Sequence, residues 1–172
     1  MGTGQEDLRK RRKGGKRMLP LKKILWPTDF SEASYEALRT ADTLALHFSA
    51  ELILVHVIPP VPLIPAYDAP AAGVAGTAYL EEIESTARES LDKVASERVS
   101  SEVGSFKVVA HGNPAEEVVR TAAEHNADLI VTATHGVSGW RRFIFGSVAE
   151  KVIRMALCPV LSIQVPPEEV EE

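Results

Sequence analysis

Five short apolar runs, KKILWP (22–27), ELILVHVI (51–58), FKVVAHG (106–112), DLIVTAT (128–134) and PVLSIQV (159–165), recur along the chain with helical periodicity between them. ELILVHVI in particular is too uniformly apolar for a strand with one wet face, so it belongs in a sheet covered on both sides. Between the first two runs, 31–48 places Ala37, Leu38, Ala41, Leu44, Ala45 and Phe48 on one helical face. A second helix is predicted over 79–103 through Leu80, Ile83, Ala87, Leu91 and Val94. A third starts at Asn113-Pro114, with Asn as N-cap and Pro at the first helical position, and ends near Asn126; a fourth covers 147–156. Alternating strands and helices imply parallel pairing through right-handed crossovers. The fold class expected is α/β, a doubly wound five-stranded parallel sheet with helices on both faces.

A chain of 172 residues, 45% apolar and 25% charged, suits one globular domain with one core. No apolar run approaches the roughly 18 residues that span a bilayer, and 1–16 lacks the apolar stretch of a signal peptide. The expectation is a soluble, cytoplasmic protein. Charge is segregated. Residues 1–17 carry seven basic side chains against Glu6 and Asp7, a net of +5, and the remainder holds 12 Lys or Arg against 22 Asp or Glu, a net of −10. The leader 1–17 reads as a disordered basic arm. KGGKRM also permits the codons AAA GGA GGT, a ribosome-binding sequence just before Met18, which makes Met18 the expected natural start. The domain is then 18–166, followed by an acidic tail, 167–172. The acidic body argues against nucleic acid as a partner. Proline crowds PPVPLIPAYDAPAAGVAGTA (59–78), which reads as a loop.

In doubly wound folds a ligand sits outside the carboxyl ends of the strands, where strand order reverses. Two loops meet that condition, WPTDFSE after the first strand and ATHGVSGWRRFIFGSVAE after the fourth. The second combines glycines, Arg141, Arg142 and a helix start at Ser147, all suited to an anion. It is not a Walker loop, since no Lys follows the glycine, and it lacks G-x-G-x-x-G.

ILWPTDFSE, LILVHVI, GNPAEEVV and ADLIVTATHGVSGWRRFIFGSVAEKVIRMALCPVLSI together resemble the universal stress protein family, from about Lys22 to Val165. Its nucleotide-binding members carry G-x2-G-x9-G-[ST]. Gly136, nine residues and Gly146-Ser147 match all but the first element, where Ala133 adds a methyl and restricts positive φ. The resemblance implies the adenine nucleotide alpha hydrolase-like fold and a bound ATP, with magnesium held chiefly by phosphate oxygens and water. It places Pro27 and Thr28 beside the base, Asp29 at the ribose and the main chain of Val57 at the adenine edge. Ala133, Thr134, His135 and Gly136 then line the near side of the phosphates, and Gly146, Ser147 and Val148 supply donors from the helix start. It further implies a homodimer through the C-terminal strand, with Val160 and Val165 at its ends, and a nucleotide-dependent switch acting on an unidentified regulatory protein partner.

Several of these residues also have explanations that need no ligand. Asp29 with Glu32, and Ser147 with Glu150, fit the spacing of a helix capping box. Gly139 reads as a turn, Arg141 and Arg142 either reach the triphosphate or are solvated, and His56 reads as a hydrogen-bonded core histidine. His111 and His135 lack a second ligand at metal spacing, so no intrinsic metal site is expected. Cys158 reads as a small buried hydrophobe. Asp29 and His135 alone offer acid–base chemistry, so no catalytic residues are expected and ATP hydrolysis, if any, is slow. Two alternatives stand beside the ATP switch: a nucleotide-free dimeric interaction module, which Ala133 favours, and a slow ATPase.

Overall fold

A computed structural model describes residues 19–60, 72–134 and 146–164, with the side chains of 72–78 excepted. The leader, Met18, the turn at Gly139, His135, Gly136, Arg141, Arg142, Val165 and the acidic tail lie outside the described residues. Strands β1 (Lys23–Thr28), β2 (Glu51–Ile58), β3 (Ser105–His111), β4 (Leu129–Ala133) and β5 (Val160–Ile163) form one parallel sheet in the order β3-β2-β1-β4-β5. Helices α1 (Glu32–Phe48), α2 (Ala72–Arg98), α3 (Pro114–Glu124) and α4 (Ser147–Met155) connect them. Burial follows position in the sheet. β1, β2 and β4 are covered on both faces, whereas β3 and β5, at the edges, are partly open.

Two cores flank the sheet because strand side chains alternate between its faces. Ile24, Trp26, Leu52, Leu54, Leu129 and Val131 point to one side, where Ala37, Leu38 and Ala41 of α1 and Leu91 and Val94 of α2 close over them. Leu25, Ile53, Val55 and Ile130 point to the other and meet Val118 and Ala122 of α3 and Val152 of α4. The apolar stripe expected on the first helix is the buried one, with Leu44 and Phe48 packed at its margin. Cys158 packs at the edge of the second core.

Two expectations are corrected. The second helix begins at Ala72, inside the stretch read as loop, and stops at Arg98. Alanines 72, 75 and 78 carry the highest helix propensity and outweigh the two glycines between them, once the last proline, Pro70, is passed. Its C-terminal end gives way to a turn held by Asp42, whose carboxylate accepts the Ser100 N–H at 3.0 Å and its hydroxyl at 2.6 Å. Neither capping box forms. The N-cap of α1 is Ser31, which accepts the Ser34 N–H, and that of α4 is Gly146, which has no side chain to offer. Asp29 and Ser147 each miss the cap position, by two residues and by one, so neither can satisfy the amide a box requires.

The third helix starts as its sequence dictates. Asn113 Oδ1 accepts the Ala115 N–H at 3.2 Å, and Pro114 fills the first turn without wasting a donor. Asn113→Ala is expected to cost about 1 kcal/mol, read from the midpoint of urea unfolding at unchanged slope.

Candidate functional site

The strand order reverses direction between β1 and β4, and there the sheet parts. Pairing of β1 with β4 stops at Leu25↔Ile130, whereas β1 stays paired with β2 through Thr28↔His56. The cause is local. In β1 the even residues face β2, as Lys22 C=O does in accepting Glu51 N–H, and the odd ones face β4, as Lys23 C=O does in accepting Asp128 N–H. The next N–H that β1 would give β4 after Leu25 therefore belongs to residue 27, a proline. With no donor there, the ladder ends and the C-terminal halves of the strands diverge.

A cleft of about 410 Å³ occupies this opening, a size suited to a small ligand. Pro27, Thr28 and Asp29 line it from β1, Val57 from β2, Ala133 and Thr134 from β4, and Gly146, Ser147 and Val148 from the start of α4. The structure thus brings together every described residue that the sequence nominated; His135 and Gly136 lie outside the described residues. Ser34, Val55, His56, Pro59, Pro114, Val118, Thr132 and Ala149 also line the cleft and were not nominated. Of these, Pro114 and Val118 could have been found from GNPAEEVV, since the strand-three loop opens on the same edge. Ser34 carries no such signal, because only the packing of α1 on β1 turns it inward.

Hydrogen bonds hold the β1 side in place. Asp29 Oδ1 accepts the N–H and hydroxyl of Ser31, at 3.1 and 2.6 Å. The Ser34 hydroxyl donates to Ser31 C=O at 2.8 Å, so the Thr28–Ser34 contact at 2.9 Å has the Thr28 hydroxyl as donor. Ser34 C=O in turn accepts the indole N–H of the buried Trp26 at 2.8 Å. His56 Nδ1 lies 2.9 Å from Thr28 C=O, which can only accept, so this nitrogen carries the proton; the ring stacks on Phe30 with centroids 4.5 Å apart. His56 is therefore hydrogen-bonded as expected, but at the cleft rather than in the core.

On the far side Gly146 N–H donates to Thr134 C=O at 2.6 Å, joining the end of β4 to the start of α4. Gly146, the N-cap of α4, has no side chain with which to bond the first amides, and this helix start carries partial positive charge beside the cleft. Asp29 is the only carboxylate among the described lining residues, and no Lys or Arg is among them. Apolar walls from Val55, Val57, Val118 and the prolines suit a flat ring, and the hydroxyls and amides suit a sugar and an anion. Among the described residues no three metal-binding side chains gather.

Ala133, where the nucleotide-binding pattern has glycine, needs no glycine conformation. It is a strand residue paired with Ile163, and its backbone is not among those at positive φ. Its methyl is buried with the α1-side core. Beyond the cleft, hydrogen bonds from Arg88 and then His111 hold the Glu84 carboxyl below its usual range, and burial pushes the Tyr35 phenol up.

The model of the universal stress protein family matches residues 20–164. The universal stress protein MJ0531 of Methanocaldococcus jannaschii is 37% identical over 148 residues, covering 86% of this chain and 85% of that one. The solved structure of MJ0577, from the same organism, superposes with a TM-score of 0.73 at 27% identity, covering 84% of this chain and 96% of that one. A universal stress protein in complex with cAMP superposes at 0.56 with 24% identity, covering 84% and 97%. This chain belongs to the universal stress protein family.

Because Ala133 sits in extended backbone, Ala133→Gly is expected to leave ligand affinity within about threefold while destabilising the fold by roughly 0.5–1 kcal/mol through added chain entropy. Paired titration calorimetry and chemical denaturation would read both quantities; a gain in affinity of tenfold or more would show that the methyl obstructs the cleft.

Proposed function

We propose that this protein binds ATP in the cleft between β1 and β4 and works in the cytoplasm as a nucleotide-dependent regulatory switch. One observation supports the reading above the rest: residues nominated from three distant segments, 27–29, 133–134 and 146–148, line one opening together with Val57. The base fits against Pro27 and the main chain of Val57, Asp29 meets the ribose, and Ser147 and Val148 present helix-start amides to phosphate. The reading assigns His135 and Gly136, outside the described residues, to the phosphate side, with magnesium arriving with the triphosphate, held by phosphate oxygens and water. One structure with this fold holds cAMP, so the fold is compatible with an adenine ligand. Binding would alter how a regulatory protein partner engages this face.

Calorimetry on nucleotide-stripped protein is expected to show binding of Mg-ATP, and a hundredfold excess over Kd should raise stability by about 2.7 kcal/mol. Absence of both heat and stabilisation would leave the nucleotide-free interaction module as the reading. Slow ATP hydrolysis would appear as phosphate release that Asp29→Ala abolishes.

The same reading includes a homodimer. Among the described residues β5 pairs only with β4, so its outer edge is the one that a second copy could pair with. Leu161, 37% exposed, lies in β5 and Leu157, 52% exposed, just before it, apolar surface that a second copy would cover. Light scattering is expected to give a dimer mass, and Leu161→Lys to raise the dimer dissociation constant about tenfold or more by placing a charge in the contact. A monomeric wild type at working concentration sinks this part of the reading.

A further inference from the structure

The hydroxyl of Thr28 does a job distinct from touching a ligand. It accepts the Phe30 N–H at 2.8 Å while donating its own proton to Ser34 Oγ at 2.9 Å, so both of its hydrogen-bonding roles are engaged inside the protein. What matters is where the Phe30 N–H would otherwise go. In β2, Glu51 N–H bonds to Lys22 C=O toward β1, Leu52 N–H bonds to Gly104 C=O toward β3, and Ile58 C=O accepts Gly112 N–H from the β3 side. Odd residues of β2 therefore face β1, and Val57 is odd. The last β1–β2 pair is Thr28↔His56. One step further, continuation of a parallel ladder would bring the N–H of residue 30 to the carbonyl of residue 57. That N–H is held by Thr28 instead, and Phe30 stands in the left-handed region at φ 61, which swings the chain off the strand path into α1. The Phe30 ring rests on His56, and the His56 proton is anchored on Thr28 C=O, so three contacts converge on this one turn.

We propose that Thr28 is a positioning residue: by capturing the Phe30 N–H it keeps the Val57 carbonyl open to a ligand donor, and so makes the cleft select a 6-amino purine over a 6-oxo purine. The inference rests on the nucleotide reading above and deepens it. A carbonyl at the end of the parted sheet can accept from the exocyclic amino group of adenine; it meets only another acceptor in hypoxanthine, whose 6-position is a carbonyl oxygen. If the Phe30 N–H closed onto Val57 it would occupy the side of the carbonyl that faces the cleft, and the two bases would look alike. Ser34 supports the device by receiving the Thr28 proton, which orients the lone pair toward Phe30.

The test is the ratio of affinities for ATP and ITP, measured by calorimetry on nucleotide-stripped protein. Wild type is expected to prefer ATP by about 10- to 100-fold, the effect of leaving a buried acceptor facing an acceptor. Thr28→Val keeps the shape and removes the hydroxyl, and is expected to bring the ratio within about threefold of unity; Thr28→Ser is expected to restore it. A merely structural loss would weaken both nucleotides together and leave the ratio unchanged, and that result overturns the proposal. So does a wild type that binds ATP and ITP equally, which leaves the nucleotide reading standing. A wild type that binds neither overturns the nucleotide reading and this inference with it. Should Thr28→Val fail to fold, Ser34→Ala is expected to narrow the ratio about threefold or more, and an unchanged ratio there overturns the proposal equally.

Discussion

A parallel sheet buried on both faces satisfies its backbone by continuous pairing, and at one residue this protein withholds a donor. Pro27 lies in the central strand, directed at β4, and has no N–H to give. Proline in a sheet interior ordinarily costs a ladder bond and is avoided. Here the interruption falls between the only two neighbouring strands at which the winding direction reverses, so the loss of pairing opens a cleft where the fold has no crossover helix to fill it. The other features of the site depend on that opening. With β1 and β4 zipped to their ends, Thr134, Asp29 and the start of α4 would still lie near one another, but over a closed edge.

The groups that the cleft presents share one origin. Each is a backbone or side-chain polar atom that regular structure would have consumed and that a specific residue holds back. Gly146 caps α4 with no side chain, so the cap residue itself takes none of the first amides. Thr28 takes the N–H that would have met Val57. Ser31 caps α1 and also donates to Asp29, so the carboxylate is oriented by the helix that follows it. These contacts join the turn to Trp26, which is fully buried, so the geometry of the β1 side is anchored in the core rather than in a surface loop.

Much of the fold was legible in the sequence, since strand and helix periodicities differ and each apolar run maps to one strand. The helix-start chemistry at Asn113-Pro114 was legible for the same local reason. The start of α2 was not, because proline and glycine punctuate 59–78 and mask the alanine propensity that takes over from Ala72. Capping was misread at Asp29 and Ser147, where S/T/D-x-x-E spacing matches a box but the backbone places the cap at Ser31 and Gly146. Ser34 and Phe30 escaped notice because each looks ordinary in one dimension, a serine in a helix and an aromatic in a turn, and His56 was read as a histidine of the core because it sits in an apolar strand. Ala133 showed the converse. It departs from the glycine of the pattern, yet lies in extended backbone where a methyl is at home.

The sequence by itself determined the alternation of strands and helices, the two loops that follow β1 and β4, and the membership of both in one family pattern. These follow from local propensity and from spacing along the chain, which need no third dimension. Only the tertiary structure decided that β1 and β4 part after Leu25, that the Phe30 N–H goes to Thr28 rather than Val57, and that the Ala133 methyl is absorbed by the core beneath α1. Each of these is a choice between partners contributed by segments distant in sequence, and such a choice is settled by register and packing.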